Sequence, residues 1–397
     1  MFKDFSISAI IAGLIAVAIS FAGPSLIIFQ AAALAHLDFA HTSSWIWAVS
    51  IGSGLSGLLL SLRFKVPVIT AWSTPGAALL LGSLPAFSFS DAIGAYLFAA
   101  SLIVFLAWSG LFDSLMKKIP KQIAAAMLAG ILFRFASDVF SAMPKQALMA
   151  LPMFAGFIVL RKLQPRYAIP GTLLIGILIA ISQGLFHFEN IEFSLAQPIW
   201  TTPTFSLSAI FTIGLPLALV TMSGQFVPGI AVMRNAGYTT PSKPMVLLTS
   251  LFSVFLAPFG SHGINLAAIT AAICTGRESH EDPSKRYVSG IVCGLAYIVI
   301  GLFGGTLVLA FTALPKVLVS TIAGLALVGA LMSSLAGAMQ DESEREGALI
   351  TFLVTSSGMV LWGLGAPFWG LAFGLLTRVV LQFSGIKIFT RVASEVK

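Results

Sequence analysis

Apolar stretches of about twenty residues follow one another along almost the whole chain, separated by short breaks rich in charge, Pro or Gly. A hydrocarbon core about 30 Å thick needs roughly 17 to 25 apolar residues for each spanning helix. Only 9% of the 397 residues are charged and 57% are hydrophobic, a balance that a water-exposed surface does not tolerate. The pattern predicts an all-α integral membrane protein with no separate soluble domain. The first segment lacks a small-residue cleavage site and is expected to remain as a helix.

Fourteen membrane segments result when each apolar run is ended at charges, Pro or Gly. They are 7–34, 43–62, 66–84, 91–115, 121–141, 145–160, 168–187, 206–233, 244–257, 259–276, 285–311, 316–339, 347–364 and 366–384. With the N-terminus in the cytoplasm, every Lys and Arg except Arg134, Lys145 and Lys316 falls on the inner side. This asymmetry predicts a membrane protein with both termini cytoplasmic. The net charge of +7 is then explained by orientation and does not imply a nucleic-acid partner.

Fourteen segments divide into two halves of seven, and because seven is odd, a duplicated second half lies inverted relative to the first. Gly23 in segment one and Gly224 in segment eight match within similar stretches at a constant offset. Segments three and ten are both short, and they begin after Pro67 and Pro258 respectively. Short, interrupted segments at corresponding positions of two halves indicate the binding site of a transporter.

Segment three contains the run Ser73-Thr74-Pro75-Gly76. A serine hydroxyl followed by proline is typical of a helix start, with the serine as N-cap and the proline in the first turn. The sequence therefore predicts a half-helix that begins inside the membrane.

Segment ten contains the run Ser261-His262-Gly263-Ile264-Asn265. Its glycine permits an unwound backbone, and Asn265 is expected to cap a second half-helix. An alternative interpretation is that Gly and Pro only allow the helices of these segments to kink or pack closely.

Inverted repeats would point the two helix starts at each other, each with unpaired N–H groups and about half a positive charge. Such a pair is an anion site that needs no arginine. The sequence has no acidic residue between Glu192 and Glu278, so three spans of the second half lack a carboxylate. A site for a cation or a neutral nucleobase would usually offer one, so the charges favour an anionic substrate.

Several side chains near the breaks are candidates for the same site. His262 can accept a proton and neutralise a bound carboxylate, or it can simply bond to backbone in the break. Gln225 offers both a donor and an acceptor, while Gly23 and Pro24 are expected to have a matching structural role in segment one. The aromatic residues nearest the breaks, and hence candidates for packing on an aromatic ligand, are Phe21, Phe226 and Phe259.

Two predicted cytoplasmic loops, 277–286 and 341–346, carry charges of both signs. Mixed charges of this kind are typical of loops that are solvated or internally paired.

The motifs at 71–78 (AWSTPGAA) and 259–274 (FGSHGINLAAITAAIC) resemble those of the bacterial benzoate transporter family, and the likeness runs the length of the chain. The resemblance implies benzoate uptake by proton symport, without a cofactor, and a fold distantly related to the uracil and sulfate permeases. That fold has core and gate domains, and its gate often forms a homodimer contact. The implied division is a first repeat 1–190 (core 1–116, gate 117–190) and a second repeat 191–397 (core 206–312, gate 313–397).

Nucleobase permeases carry glutamates in the spans equivalent to segments eight and ten, where this chain has Gln225 and His262 at or near those positions. This difference puts nucleobase transport in doubt, although a permease or exchanger for another small anion or a nucleobase remains the alternative. An intramembrane enzyme is disfavoured, because no H-E-x-x-H or G-x-S-x-G pattern occurs and the five histidines lie in different segments or loops. A channel is disfavoured because polarity is interrupted along the segments. No metal site is expected.

Overall fold

The computed structural model describes residues 4, 6–22, 24–112, 114, 120–185, 192–239, 241–267, 269–277, 279–362 and 364–382. The elements of the first half are α1 (Ile7–Ala22), α2 (Pro24–Leu34), α3 (Phe39–Phe64), β1 (Thr70–Trp72), α4 (Thr74–Ser83), α5 (Phe89–Trp108), α6 (Lys121–Ala142), α7 (Ala147–Leu163) and α8 (Ala168–Ser182). Those of the second half are α9 (Leu215–Thr221), α10 (Val227–Asn235), α11 (Ser242–Leu256), β2 (Ile264–Leu266), α12 (Ile269–Thr275), α13 (Tyr287–Leu302), α14 (Gly304–Thr312), α15 (Lys316–Ala338), α16 (Arg345–Ser356), β3 (Val360–Leu361), β4 (Leu364–Gly365) and α17 (Ala366–Gln382).

Seven helical stretches among the described residues are long and apolar enough to cross a membrane. They are Ile7–Leu34, Phe39–Phe64, Phe89–Trp108, Leu207–Arg234, Ser242–Phe259, Pro283–Leu302 and Lys316–Ala338, and the shorter apolar helices are Lys121–Phe133, Ala168–Ser182 and Ala366–Leu381. Lipid offers no hydrogen-bond partners for backbone N–H and C=O groups, and a helix pairs these groups within itself. The predicted class, a helical membrane protein, is confirmed.

The long helices pack in pairs that join the two halves of the chain. Helix α3 lies along α13, α5 along α11, and α6 along α15. Two further pairs are formed within one half each, α7 with α8 and α16 with α17. The core of the molecule therefore mixes both halves, and the predicted boundary between them at 190/191 lies outside the described residues.

The two breaks in segments three and ten form a short antiparallel ladder. Strand β1 pairs with β2, with Thr70 opposite Leu266, Ala71 opposite Asn265 and Trp72 opposite Ile264. All six residues are buried. The sequence predicted an unwound backbone at these positions, and the structure pairs it, because buried backbone N–H and C=O groups need partners.

The predicted cap of the second half-helix is wrong. Asn265 lies within strand β2, and helix α12 spans Ile269–Thr275. The backbone of Ile264 to Leu266 is committed to the ladder with β1, so a helix can start only after the strand ends.

Segment eight is not a regular α-helix. After a helical turn at Leu207–Ala209 it contains two π-helical stretches, Ile210–Gly214 and Met222–Phe226, with α9 between them and α10 after them. Each π stretch is followed by a proline in the next helical turn, Pro216 or Pro228. Proline supplies no N–H to the i−4 carbonyl, which favours a local change of helical period, and such bulges are frequent at functional sites.

An extended segment, 192–206, ties the two halves together over one end of the helices. The Thr201 N–H donates to Pro258 O (2.8 Å), and the Thr204 N–H donates to Ser90 O (3.1 Å). The Ile199 N–H donates to Ser44 Oγ (2.9 Å) at the start of α3. This connection holds α3, α5 and the turn before β2 against one another.

The sequence predicts that the charges of the loop 277–286 are solvated or paired with one another. One residue of this loop, Arg286, differs from that prediction. Arg286 is only 6% exposed, and its guanidinium donates to the carbonyl oxygens of Thr275 (2.7 Å), His280 (2.6 Å) and Glu281 (3.2 Å). The cation lies at the C-terminal end of α12, where carbonyls lack helical partners. In the loop 341–346 the predicted internal pairing is present, because Arg345 Nη1 lies 3.3 Å from Glu342 Oε1. Glu344 of the same loop pairs outside it, with Arg378 Nε at 2.8 Å from Glu344 Oε1.

Candidate functional site

Ser73 caps helix α4, as the sequence predicted. Its Oγ accepts a hydrogen bond from the Gly76 N–H (3.0 Å), and Pro75 occupies the first turn. The Thr221 hydroxyl at the end of α9 also donates to Ser73 Oγ (3.2 Å). The Ser73 N–H donates to Gly263 O (3.2 Å), so this one buried residue joins the start of α4 to both α9 and the break in segment ten.

His262 lies in the turn before β2, and both of its ring nitrogens have partners. The Trp45 indole Nε1–H donates to His262 Nδ1 at 3.0 Å. His262 Nε2 lies 3.1 Å from the carbonyl oxygen of Ser73. The imidazole is 2% exposed, so it bridges α3 and the residue that caps α4 inside the protein core.

Asn265 is fully buried opposite Ala71 in the ladder. In the amide orientation that satisfies both of its polar atoms, the side-chain oxygen accepts from the Ser73 N–H (3.0 Å) and the side-chain nitrogen donates to Leu266 O (3.2 Å). Asn265 therefore fixes the start of α4, not that of α12.

Helix α3 sets the path of the chain into β2 through two adjacent residues. The Ser44 hydroxyl donates to Phe259 O (3.0 Å). Gly260 follows with φ +104°, and a Cβ there would lie 3.0 Å from the Trp45 Cα. Only glycine accepts both this conformation and this close approach, so the turn can lie on α3 and place His262 against the Trp45 indole.

Gln225 is half-buried in the second π-helical stretch, one turn beyond Thr221. A Cβ placed on the adjacent Gly224 would lie 3.8 Å from Pro75 Cγ and 3.6 Å from Leu128 Cδ2 of α6. Segment eight therefore meets the start of α4 at this point.

The predicted aromatic residues lie in three different places. The Phe21 ring makes an edge contact with Trp72 of β1 (5.7 Å between centroids), beside the break in segment three. Phe226 is fully buried and its ring faces Phe112 at 6.1 Å. Phe259 packs between the rings of Trp47 and Trp200, both at 5.6 Å, on the 3₁₀ turn that precedes the break.

The remaining candidates are placed as follows. Pro24 begins α2, and Gly23 lies outside the described residues. Ser261 is 1% exposed, and its hydroxyl has no hydrogen-bond partner within the described part of the chain. Thr74 is the first residue of α4.

Sequence reasoning missed Trp45 and Thr221. Thr221 stands one helical turn before Gln225, so its spacing is a signal that could have linked the two side chains. Trp45 has no local signal, because it is 217 residues from its partner His262.

The described candidate residues at the breaks and in segment eight include neither an acidic nor a basic side chain other than His262. What they offer instead is the positive end of α4, the amide of Gln225 and buried hydroxyls. Such a set suits an uncharged or anionic ligand better than a cation.

Comparisons with known proteins agree with these features. The family model BenE, described as Benzoate membrane transport protein, matches residues 3–380. The benzoate membrane transport protein of Acinetobacter baylyi is 44% identical over 379 residues, which cover 96% of this chain and 96% of that protein. The inner membrane protein YdcO of Escherichia coli is 41% identical over 373 residues, covering 94% of this chain and 95% of that protein.

Solved structures show the same fold at low sequence identity. SLC26A9 matches with a TM-score of 0.63 and 14% identity, over 96% of this chain and 66% of that longer chain. The transmembrane domain of the cyanobacterial bicarbonate transporter BicA matches with a TM-score of 0.60 and 13% identity, over 95% of this chain and 97% of that domain. The resemblance seen in the two motifs is confirmed, and the chain belongs to the benzoate membrane transport protein family and is a membrane transporter, not an enzyme.

Proposed function

We propose that this transporter imports benzoate or a similar small aromatic carboxylate together with a proton, by alternating access. The observation that carries the proposal is the start of α4, which follows the β1–β2 ladder and meets the segment that contains Gln225. The described residues of the two breaks and of segment eight include no carboxylate. The name of the Acinetobacter baylyi relative supplies the substrate.

The carboxylate is proposed to bind at the N-terminal turn of α4, around Ser73, Thr74, Pro75 and Gly76, with the amide of Gln225 as a further donor. A helix of ten residues presents about half a positive charge at this end, which stabilises an anion without a counter-cation. The aromatic ring is proposed to pack on the apolar side, where Phe21 meets Trp72. The described residues of the breaks and of segment eight include no acidic side chain, so the substrate would meet no like charge there.

We further propose fourteen spans arranged as a seven-plus-seven inverted repeat. The packing pairs support it, because each has a counterpart in which the halves exchange roles. Helix α2 packs on α4 as α10 packs on α12, and α1 packs on α12 as α9 packs on α4. Likewise α3 with α13 corresponds to α5 with α11, and α7 with α8 corresponds to α16 with α17.

The same pairing supports a division into core and gate domains with the predicted boundaries, 1–116 with 206–312 and 117–190 with 313–397. Helices α6, α7 and α8 pack with α15, α16 and α17 of the other half. The gate then moves relative to the core to expose the site alternately. Cytoplasmic termini in the inner membrane, and a homodimer formed through the gate, belong to the same proposal.

His262 is the proposed proton carrier. Among the described residues of the breaks and of segment eight up to Met233, it is the ionisable side chain that lies beside the start of α4. A proton on its ring would compensate the charge of a bound carboxylate.

Uptake into proteoliposomes tests the proposal. Labelled benzoate uptake is expected to rise when the outside is made acidic and to be inhibited by other aromatic carboxylates, whereas uracil, sulfate and bicarbonate should not compete. Uptake that ignores an imposed pH gradient would exclude symport, and counterflow driven by sulfate, bicarbonate or uracil would establish the alternative permease. His262→Gln is expected to retain benzoate binding but to lose the response to the gradient.

A further inference from the structure

The hydrogen bonds of His262 determine which of its nitrogens carries a proton. The Trp45 indole has a donor and no acceptor, so His262 Nδ1, 3.0 Å away, must be unprotonated. The Ser73 carbonyl has an acceptor and no donor, so His262 Nε2, 3.1 Å away, must carry the hydrogen. The ring is thereby fixed as the neutral Nε2–H tautomer.

A second proton has no free position on this ring. The doubly protonated imidazole has donors at both nitrogens, and its Nδ1–H would face the indole N–H of Trp45 head-on. The imidazole can be protonated only after the Trp45 bond is broken and the two rings separate.

We infer that Trp45 is a positioning residue that controls when His262 can take up a proton. This inference rests on the proposed role of His262 in proton coupling, which it deepens. While the indole donates to Nδ1, the imidazole cannot accept a second proton and its turn is fixed to α3. When α3 and the turn at Gly260 move apart, Nδ1 becomes an acceptor for the transported proton.

The surroundings of the imidazole indicate that geometry, and not a neighbouring charge, controls the protonation of His262. The imidazole contacts Trp45 from α3, Ser73 before α4 and Tyr96 from α5 (6.4 Å between ring centroids). It also lines a small cavity together with Thr221 from α9. Helix α11 adds Ser250 and Ser253. The one ionisable side chain among these neighbours is the Tyr96 phenol, so the described neighbours place no carboxylate beside the ring to favour its protonation.

Neighbouring hydrogen bonds hold the contact between Trp45 and His262 in place. Trp45 is fully buried, and it lies next to Ser44, which bonds to Phe259 O and to the connecting segment at Ile199. Any movement of the turn 259–262 relative to α3 therefore acts directly on the bond between Trp45 and His262.

The variant Trp45→Phe tests the inference, because it removes the indole N–H while keeping a ring of related shape. Trp47→Phe is the matched control, since Trp47 lies on the same helix and contacts the Phe259 ring and not the imidazole. Both variants are compared with the full-length wild type in nanodiscs, labelled with ¹⁵N-histidine and ¹⁵N-tryptophan. The signals of His262 are assigned by their loss in His262→Gln.

In the wild type, NMR should show the Nε2–H tautomer and a scalar coupling between Trp45 Nε1 and His262 Nδ1 across the hydrogen bond. The hydrogen bond from Trp45 stabilises the neutral form of His262, so its loss should raise the proton affinity of the imidazole roughly tenfold. In Trp45→Phe the ring should therefore protonate about one pH unit higher, and the pH profile of benzoate uptake should shift by about the same amount. Trp47→Phe should match the wild type in both measurements.

Absence of the coupling in the wild type, or unchanged titration of His262 in Trp45→Phe, would overturn the inference. The coupling needs no variant, so it decides the question even if Trp45→Phe fails to fold. If His262→Gln still couples benzoate to protons, the proposed proton role is wrong, whereas the NMR measurements still decide whether Trp45 controls the ring.

Discussion

The Thr221 hydroxyl donates to Ser73 Oγ across 3.2 Å, linking residues that are 148 positions apart in the sequence. The bond joins the end of α9 to the cap of α4, so segment eight and the helix start that we propose to bind the substrate carboxylate are mechanically connected. Replacing Thr221 by Val keeps the side-chain shape and removes the donor.

We expect Thr221→Val to weaken benzoate binding about fivefold, because a hydrogen bond of this kind contributes about 1 kcal/mol. Calorimetry with the purified protein measures the effect. Thr249→Val is the control, since among the described residues the hydroxyl of Thr249 bonds to carbonyls of its own helix, those of Met245 and Val246. Equal effects of the two changes would show that the Thr221 bond does not act on the site.

Gly76→Ala is expected to impair binding by displacing the first turn of α4. A Cβ at Gly76 would lie 2.5 Å from Leu217 Cδ1 and 2.8 Å from Ser73 Oγ, both closer than normal contact. Overpacking of this size costs about 1 to 3 kcal/mol, so affinity should fall at least tenfold and thermal stability should drop. Gly329→Ala is the control, because a Cβ at Gly329 meets nothing within 4 Å. Wild-type affinity in Gly76→Ala would place the substrate elsewhere.

Gln225→Glu is expected to abolish benzoate uptake, because it adds a negative charge where the substrate carboxylate binds. Gln225→Ala, which removes the amide without adding charge, should lower uptake by about threefold to tenfold. Gln183→Glu is the matched control at an exposed helix end and should transport normally. Retained benzoate uptake in Gln225→Glu would argue against an anion site beside this residue.

Arg286→Met is expected to destabilise the protein, because it removes the three hydrogen bonds to the carbonyls of Thr275, His280 and Glu281. Bonds from a charged donor contribute about 1.5 to 3 kcal/mol each, so we expect a loss of at least about 3 kcal/mol. Thermal unfolding in detergent measures it, with the exposed Arg277→Met as control. A similar midpoint for the two variants would contradict a structural role for Arg286.

We expect Asp38, the N-cap of α3, to contribute to the stability of the protein in a pH-dependent way. Its carboxylate accepts from the His41 N–H (2.8 Å), and this bond, with the His41 side chain, holds the pKa of Asp38 below its usual range. Because the folded pKa is depressed, the contribution is present above the unfolded pKa of about 3.9 and is lost as the pH falls through the folded value.

Asp38→Ala should therefore cost about 1 kcal/mol at neutral pH, a typical value for a lost N-cap. The difference from wild type should shrink at pH values below the folded pKa, where the neutral carboxyl caps the helix only through an uncharged oxygen. Asp38→Asn retains a capping oxygen without the charge, so it should be less destabilised at neutral pH and show less pH dependence. Unfolding midpoints measured across the pH range test this; a wild-type advantage over Asp38→Asn that does not narrow in acid would contradict it.

The cap of α4 was predictable from sequence, because Ser73 and Pro75 are local signals whose effect does not depend on the rest of the chain. The start of α12 was not predictable in the same way. Asn265 has the chemistry of a cap, but its strand pairs with β1, which is nearly two hundred positions away. A long-range ladder overrides a local preference because it satisfies buried backbone groups that water cannot reach.

The sequence by itself determined that the chain is a helical membrane transporter, since hydropathy, charge asymmetry and two motifs are properties of the residues in order. Only the tertiary structure decided which atoms meet at the site. The contacts of Trp45 with His262 and of Thr221 with Ser73 depend on how helices from the two halves pack. Close packing of apolar side chains is not directional and does not by itself specify which polar side chains meet. These hydrogen-bonded pairs are therefore fixed only when the whole fold has formed.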